Sequence, residues 1–271
     1  KNKTSYSTAA DVLEKLKKHH PIVDKILEYR QLTKLKSTYA DGLFEYIKED
    51  KRIHSTFNQM IASTGRISST EPNLQNIPVR TELGRNMRKF FVSKSGKVLL
   101  DADYNQIELR IMAHVSDDEN MKNAFLNDMD IHTVTASQVF NMPLNMVTSS
   151  MRSAAKAVNF GIIYGIGAFS LSKDINVTVS EADRYIKNYL RNFSKVEAFM
   201  KNTIDTAIEN GYVTTFLGRR RYIPELKSSN KIVQAAGKRI AMNTPVQGAA
   251  ADVIKIAMIK VYKRLKKEKL N

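Results

Sequence analysis

From Asn105 to Lys269 the apolar residues recur at helical spacing with few interruptions, and this constrains the fold more than any other feature. The spacing predicts helices over 105–116, 119–127, 131–140, 150–164, 180–192 and 195–210. A small hairpin is expected over 211–224 and a last helical stretch over about 230–269. Strand signals come earlier. Ile53–Met60 is a β-like run, and Phe90–Val92 and Val98–Ala102 flank the turn Lys94–Lys97, which reads as a hairpin. Residues 11–46 carry two further helical patterns separated by Pro21, the second expected to run through Leu32, Leu35 and Tyr39 to a stop at Asp41-Gly42. A polar loop, Ser63–Pro78, is long enough and rich enough in Gly, Ser, Asn and Pro to be functional. The expected class is α/β, mainly helical overall, with a small antiparallel sheet.

Charge narrows the partner. Lys and Arg number 43 against 27 Asp and Glu, a net +16, which favours a polyanion and nucleic acid first. The basic run Lys260, Lys263, Arg264, Lys266, Lys267, Lys269 reads equally as a solvated helix face. With no cysteine, disulfides, thiolate metal sites and thiol catalysis are excluded. No stretch approaches eighteen apolar residues, so no membrane span is expected. The chain begins at Lys1 and reads as a piece of something longer. The five histidines form no His-Glu-x-x-His helix, and no Gly-x-Ser-x-Gly elbow occurs. The glycines at 165 and 167 follow a helix, whereas a dinucleotide fingerprint follows a strand.

Three segments carry candidate chemistry. In Leu99–Arg110 an apolar strand is expected to end in carboxylates and turn at once into a helix, with Asp101 and Asp103 on one face. Two readings stand here. Asp103 holds a metal ion, or the pairs Asn105/Glu108 and Asp103/Gln106 form capping boxes. In the second segment Arg152, Lys156, Phe160 and Tyr164 recur every four residues. Such positions drift slowly around one helix face. Two cations followed by two rings suit a phosphate tail attached to a sugar and base. An amphipathic helix with basic solvent positions is the plainer alternative. The third segment places Arg239, Asn243 and Gln247 at the same spacing, on one kinked helix or on two helices meeting at Thr244-Pro245.

Taken in order, these segments resemble bacterial family-A DNA polymerases of the DNA polymerase I type. The resemblance rests on Leu35–Tyr39, Thr64–Ser69, Pro72–Arg80, the Asp103 turn, the 152–164 helix, Gly218–Arg221 and Pro245–Gly248. It implies a right-hand polymerase palm, a small antiparallel sheet with helices, and a mostly helical fingers subdomain. Residues 1–50 would be a thumb remnant with its connection to the palm. Residues 51–118 would be the first part of the palm, 119–228 the fingers, and 229–271 an incomplete second part of the palm. It also implies DNA-templated addition of deoxynucleotides to a primer 3′ end, with two magnesium ions, in the cytoplasm of a bacterium at its nucleoid. Primer–template DNA and deoxynucleoside triphosphates would be the partners, with no membrane and no obligate protein partner.

Residue by residue, the resemblance makes Asp103 and Lys156 catalytic, and Asp103 and the Tyr104 carbonyl metal ligands. It makes Gln106, Glu108, His132, Arg152, Lys156, Phe160 and Tyr164 nucleotide contacts, with Glu108 excluding a ribose 2′-hydroxyl. Lys34, Lys36, Arg66, Arg80, Arg239, Asn243 and Gln247 would contact DNA. Family members carry a second catalytic aspartate in a His-Asp-Glu hairpin, and no His-Asp-Glu occurs in these 271 residues. The chain by itself is therefore expected to show little or no polymerase activity. A non-catalytic DNA-binding fragment and a single-subunit RNA polymerase are the alternatives, and a bulky Glu108 argues against the second.

Overall fold

The computed structural model describes residues 6–79 and 81–270. Arg80, one of the expected DNA contacts, lies outside the described residues. The chain divides into two compact units. One is Lys1–Ile61 with Ile67–Leu100, the other Ala62–Arg66 with Asp101–Asn271.

The first unit holds helices α1 (Ala10–Leu16), α2 (Ile22–Leu35), α3 (Gly42–Phe44) and α4 (Glu82–Arg88), with a π-turn over Lys36–Asp41. Leu35, Tyr39 and Leu43 form its small core, packed by Ile53, Leu74, Ile77, Met87 and Phe91. Gly42 keeps a right-handed helical conformation, so the expected stop is absent and helical structure continues to Phe44. Strand β1 (Thr56–Asn58) pairs antiparallel with β2 (Ser68–Thr70), Phe57 opposite Ser69. The polar loop thus contains a strand. Apolar alternation does not reveal it, because hydroxyls hold it: Ser69 is buried against Ser55, Oγ to Oγ 2.7 Å.

The expected 90–102 hairpin is corrected. Its turn closes, Lys97 N donating to Lys94 O at 2.9 Å, but no strand forms on either side. Val98, Leu99 and Leu100 are 85%, 69% and 73% exposed. Phe91 alone packs on a core, while Phe90 and Val92 are 67% and 76% exposed, and two short strands with so little packed on them do not hold a ladder in water.

The second unit is built by α5 (Ile107–Ser116), α6 (Glu119–Leu126), α7 (Ile131–Phe140), α8 (Ser149–Ile163), α9 (Ala168–Asp174), α10 (Val179–Asn192), α11 (Ser194–Asn210) and α12 (Lys231–Lys267). The hairpin β3 (Tyr212–Thr214) and β4 (Arg220–Tyr222) precedes α12, as the spacing predicts. Polar caps set the helix starts. Thr148 accepts from Met151 N at 3.2 Å, Asn230 from Ile232 N at 2.9 Å, and Thr178 with Glu181 completes a capping box. The core runs through Leu109, Met112, Met121, Ile131, Val158, Leu171, Tyr189, Phe193 and Val246.

Neither capping box expected before α5 is present. Its N-cap is Gln106 at φ 54°, without a side-chain cap bond. Asp101 and Asp103 lie on no strand, so the shared-face argument for them lapses. At the other end α12 is one helix through Pro245, which settles the choice left open by the sequence. Proline there removes one backbone donor. Thr244 Oγ1 donates to Ile240 O at 2.6 Å and accepts from Arg221 Nη1 at 3.1 Å, tying that turn to β4.

Candidate active site

Glu108 is the centre of the site. It sits in the first turn of α5 with its side chain 9% exposed. A buried carboxylate needs partners. Arg66 Nη2 donates to Oε1 at 2.6 Å, and the Tyr164 hydroxyl donates to Oε2 at 2.9 Å. Three segments far apart in sequence therefore meet at one acid. Burial first, then the adjoining Glu108 carboxylate, raises the Tyr164 hydroxyl pKa above its ordinary value. Tyr164 thus stays a protonated donor across the physiological range.

Tyr164 caps the C-terminus of α8, and Gly165 follows at φ 66°. A Cβ at Gly165 would lie 2.4 Å from Met242 Cε and 3.1 Å from Arg239 Cγ. The turn after α8 therefore rests on α12 beside Arg239. Arg239, Asn243 and Gln247 follow one another up that helix. Arg239 is exposed, and the Asn243 Oδ1 is buried without a partner.

The other end of α8 is polar. Arg152 forks onto Asp130, Nε to Oδ2 at 2.5 Å and Nη2 to Oδ1 at 3.1 Å. Asp130 also caps α7 and accepts from Thr133 Oγ1 at 2.6 Å. Burial works to raise the Asp130 carboxyl, but the Arg152 and Thr133 hydrogen bonds overcome it and hold it at about 2. His132 is buried, its ring 6.0 Å from that of Phe160. Asn159 Nδ2 lies 3.1 Å from His132 Nδ1. An amide N–H toward Nδ1 makes that nitrogen the acceptor and leaves Nε2 as the ring's donor. Lys156 is exposed and has no ion-pair partner among the described residues. Arg152, Lys156 and Phe160 thus lie on one helix with Tyr164 at its C-cap, one cation held by an acid and one open.

Burial, the largest cause, lowers the His132 pKa. Asp130 opposes this, and Arg152 and Lys156 add to it. A histidine depressed on folding binds fewer protons than in the unfolded chain, so stability is lost as pH falls through and below about 6.5. The Asp130 contribution is lost lower, between its ordinary 3.8 and about 2. Thermal melts followed by circular dichroism from pH 7.5 to 5 are expected to show the midpoint dropping on acidification. In His132→Gln that drop is smaller, and an unchanged drop counts against the buried neutral ring.

Asp103 and Tyr104 are exposed in the irregular segment before α5, and the Asp103 carboxylate has no partner among the described residues. Gln106, next along, holds a left-handed backbone, uncommon for a non-glycine residue. A carboxylate and a main-chain carbonyl are hard oxygen donors of the kind magnesium takes. They fit that ion in kind and fall short in number. Among the described residues no group of three or more His, Cys, Asp or Glu gathers. Lys34 on α2 is exposed and Lys36 is paired with Asp41, both in the first unit.

The sequence reading missed Asp130 and Asn159, and placed Asp252 on the last helix without a role. Each had a signal. Asp130 stands at an N-cap position, and Asn159 and Asp252 are lone polar residues on apolar helix stripes. Asp252 is buried and accepts from Arg219 Nε at 2.8 Å and from Thr215 Oγ1 at 3.1 Å.

Comparison with known proteins identifies the family. The sequence profile of DNA polymerase family A matches residues 1–271. DNA polymerase I of Bacillus subtilis (strain 168) is 53% identical over 272 residues, taking in 100% of this chain and 31% of that protein. The thermostable DNA polymerase I of Thermus aquaticus is 50% identical over 260 residues, 96% of this chain and 31% of that protein. Among solved structures, the POL domain of Pol1 from M. smegmatis, in complex with DNA primer-template and dNTP, matches with a TM-score of 0.91 at 45% identity. That match covers 100% of this chain and 48% of the other. The chain belongs to DNA polymerase family A. It spans about a third of the length of the curated relatives it matches.

Proposed function

We propose that this chain is the nucleotide- and primer-binding core of an enzyme that extends a DNA primer on a DNA template. The observation that carries the reading is Glu108, buried and held by Arg66 and Tyr164 at the foot of the α8 stripe. On this reading Lys156 and Arg152 meet the phosphates of a deoxynucleoside triphosphate, with the His132 Nε2–H and Gln106 as further donors. Phe160 and Tyr164 pack the sugar and base, and Glu108 fills the space of a 2′-hydroxyl. Asp103 and the Tyr104 carbonyl face the reacting end. Magnesium, when bound, would activate the primer 3′-hydroxyl and steady the departing pyrophosphate. Lys156, the open cation, offsets charge building on the phosphates.

Copying needs contacts that ignore sequence and notice misshapen pairs. Minor-groove acceptors sit in nearly the same place at every base pair. Arg66, Arg239, Asn243 and Gln247 are donors suited to them. Lys34, Lys36 and Arg80 supply backbone affinity that falls with salt. The palm and fingers division over 51–118, 119–228 and 229–271, with a thumb remnant over 1–50, belongs to the same reading. So does a place in the bacterial cytoplasm at the nucleoid. No helix among the described residues is long and apolar enough to cross a membrane.

Primer–template binding by the 271-residue chain, measured by fluorescence anisotropy against salt, tests the interface. A steep negative slope is expected. Lys34→Ala should make it shallower by about one unit, as for one lost phosphate contact. Gln247→Ala should weaken binding with the slope unchanged, because a neutral amide releases no counterion. A slope near zero removes the reading.

A further inference from the structure

Arg219 and Asp252 have no part in the chemistry above, yet among the described residues they form the most enclosed ion pair of the second unit. The side chains are 33% and 10% exposed. Arg219 donates twice to Asp252 Oδ1, through Nε at 2.8 Å and through Nη2. Thr215 Oγ1 donates to the other carboxylate oxygen and accepts from Arg219 N at 3.1 Å. Across the turn Thr215 N donates to Arg219 O at 2.8 Å. The guanidinium is thus fixed in plane and position.

What it touches is the backbone that bears Arg66. A Cβ on Gly65 would stand 2.5 Å from Arg219 Cζ and 2.6 Å from Nε, so the guanidinium packs directly against that glycine. Gly65 has φ 81°, a backbone that disfavours any side chain. On α12, a Cβ at Gly248 would meet Thr215 Cγ2 at 2.8 Å and the Thr64 carbonyl at 3.5 Å. Helix, hairpin turn and the Thr64–Arg66 segment therefore lock together one residue away from the side chain that reaches Glu108.

We infer that Arg219, held by Asp252 and Thr215, is a positioning residue that sets the Thr64–Arg66 backbone so that Arg66 reaches Glu108 and the primer end. The inference rests on the role proposed above for Arg66. Arg219 touches neither nucleotide nor reacting atoms and acts through Arg66 alone. A misplacement of about 1 Å at such a contact lowers turnover by up to about a hundredfold.

The test is a double-mutant cycle on single-turnover incorporation by the polymerase that carries this chain. Arg219→Ala should lower kcat/KM on the order of tenfold when Arg66 is present. In an Arg66→Ala background the same change should cost less than about twofold, because the contact it served is gone. Arg219→Lys keeps the charge for Asp252 and loses the flat fork, so it carries the same cycle if the alanine variant does not fold. Equal losses in both backgrounds, or no loss with Arg66 present, overturn the inference. The Arg66 Nε–H resonance, read in the 271-residue chain without nucleic acid, tests the positioning itself. It moves in Arg219→Lys if Arg219 sets Arg66, and an unmoved resonance overturns the inference. Undiminished extension by Arg66→Ala instead removes the proposed role of Arg66.

Discussion

On the proposed reading, Asp103→Ala in a family A polymerase containing this sequence is expected to lower primer extension by about a thousandfold or more, with DNA binding nearly intact. The carboxylate is exposed and has no partner among the described residues, so its loss opens no cavity and orphans no donor. Melting should be unchanged. A carboxylate kept only to cap α5 would show the reverse pattern, lost stability and retained turnover, but α5 takes no side-chain cap. Single-turnover extension beside a thermal melt separates the two. Retention of more than about a tenth of the activity would falsify the metal-ligand role.

Glu108→Ala should be the second large effect, and it has two parts. Removing the side chain opens the space proposed for the 2′-hydroxyl, so ribonucleotide use relative to deoxynucleotide use should rise about a hundredfold. It also strips Arg66 and Tyr164 of their shared acceptor, which leaves two donors near a buried site unpaired. Deoxynucleotide turnover should therefore fall as well. Glu108→Gln keeps the volume and one acceptor oxygen, so it should preserve sugar discrimination while weakening the Arg66 contact. The ratio of kcat/KM for matched ribo- and deoxynucleoside triphosphates measures this. Unchanged discrimination in the alanine variant sinks the gate assignment.

Local pattern carried most of the fold. The α8 stripe and the long α12 were legible because four-residue spacing is a local signal that tertiary packing left in place. The 98–102 strand failed for the converse reason. An apolar β-branched run states a preference, and a strand needs a neighbour to satisfy it. β2 was missed because its partners are hydroxyls. The site was legible as a set of cations and rings, but their pairing was not. Arg152 reads the same in sequence whether it is open or forked onto Asp130, 22 residues away. Lys156, one turn on, is open. On the proposed reading, that difference decides which of the two meets a phosphate without first giving up an acid.

The continuity of α12 through Pro245 has a metrical consequence. Eight residues separate Arg239 from Gln247, about 12 Å along the axis of an α-helix. Duplex rises about 3.4 Å per step along a strand, so that span equals between three and four base pairs. A hinge at the proline would have made this distance adjustable. An unbroken helix makes it a ruler of set length. On the proposed reading, mispairs buried deeper in the duplex than that length would escape notice, and those within it would register against a scale that does not give.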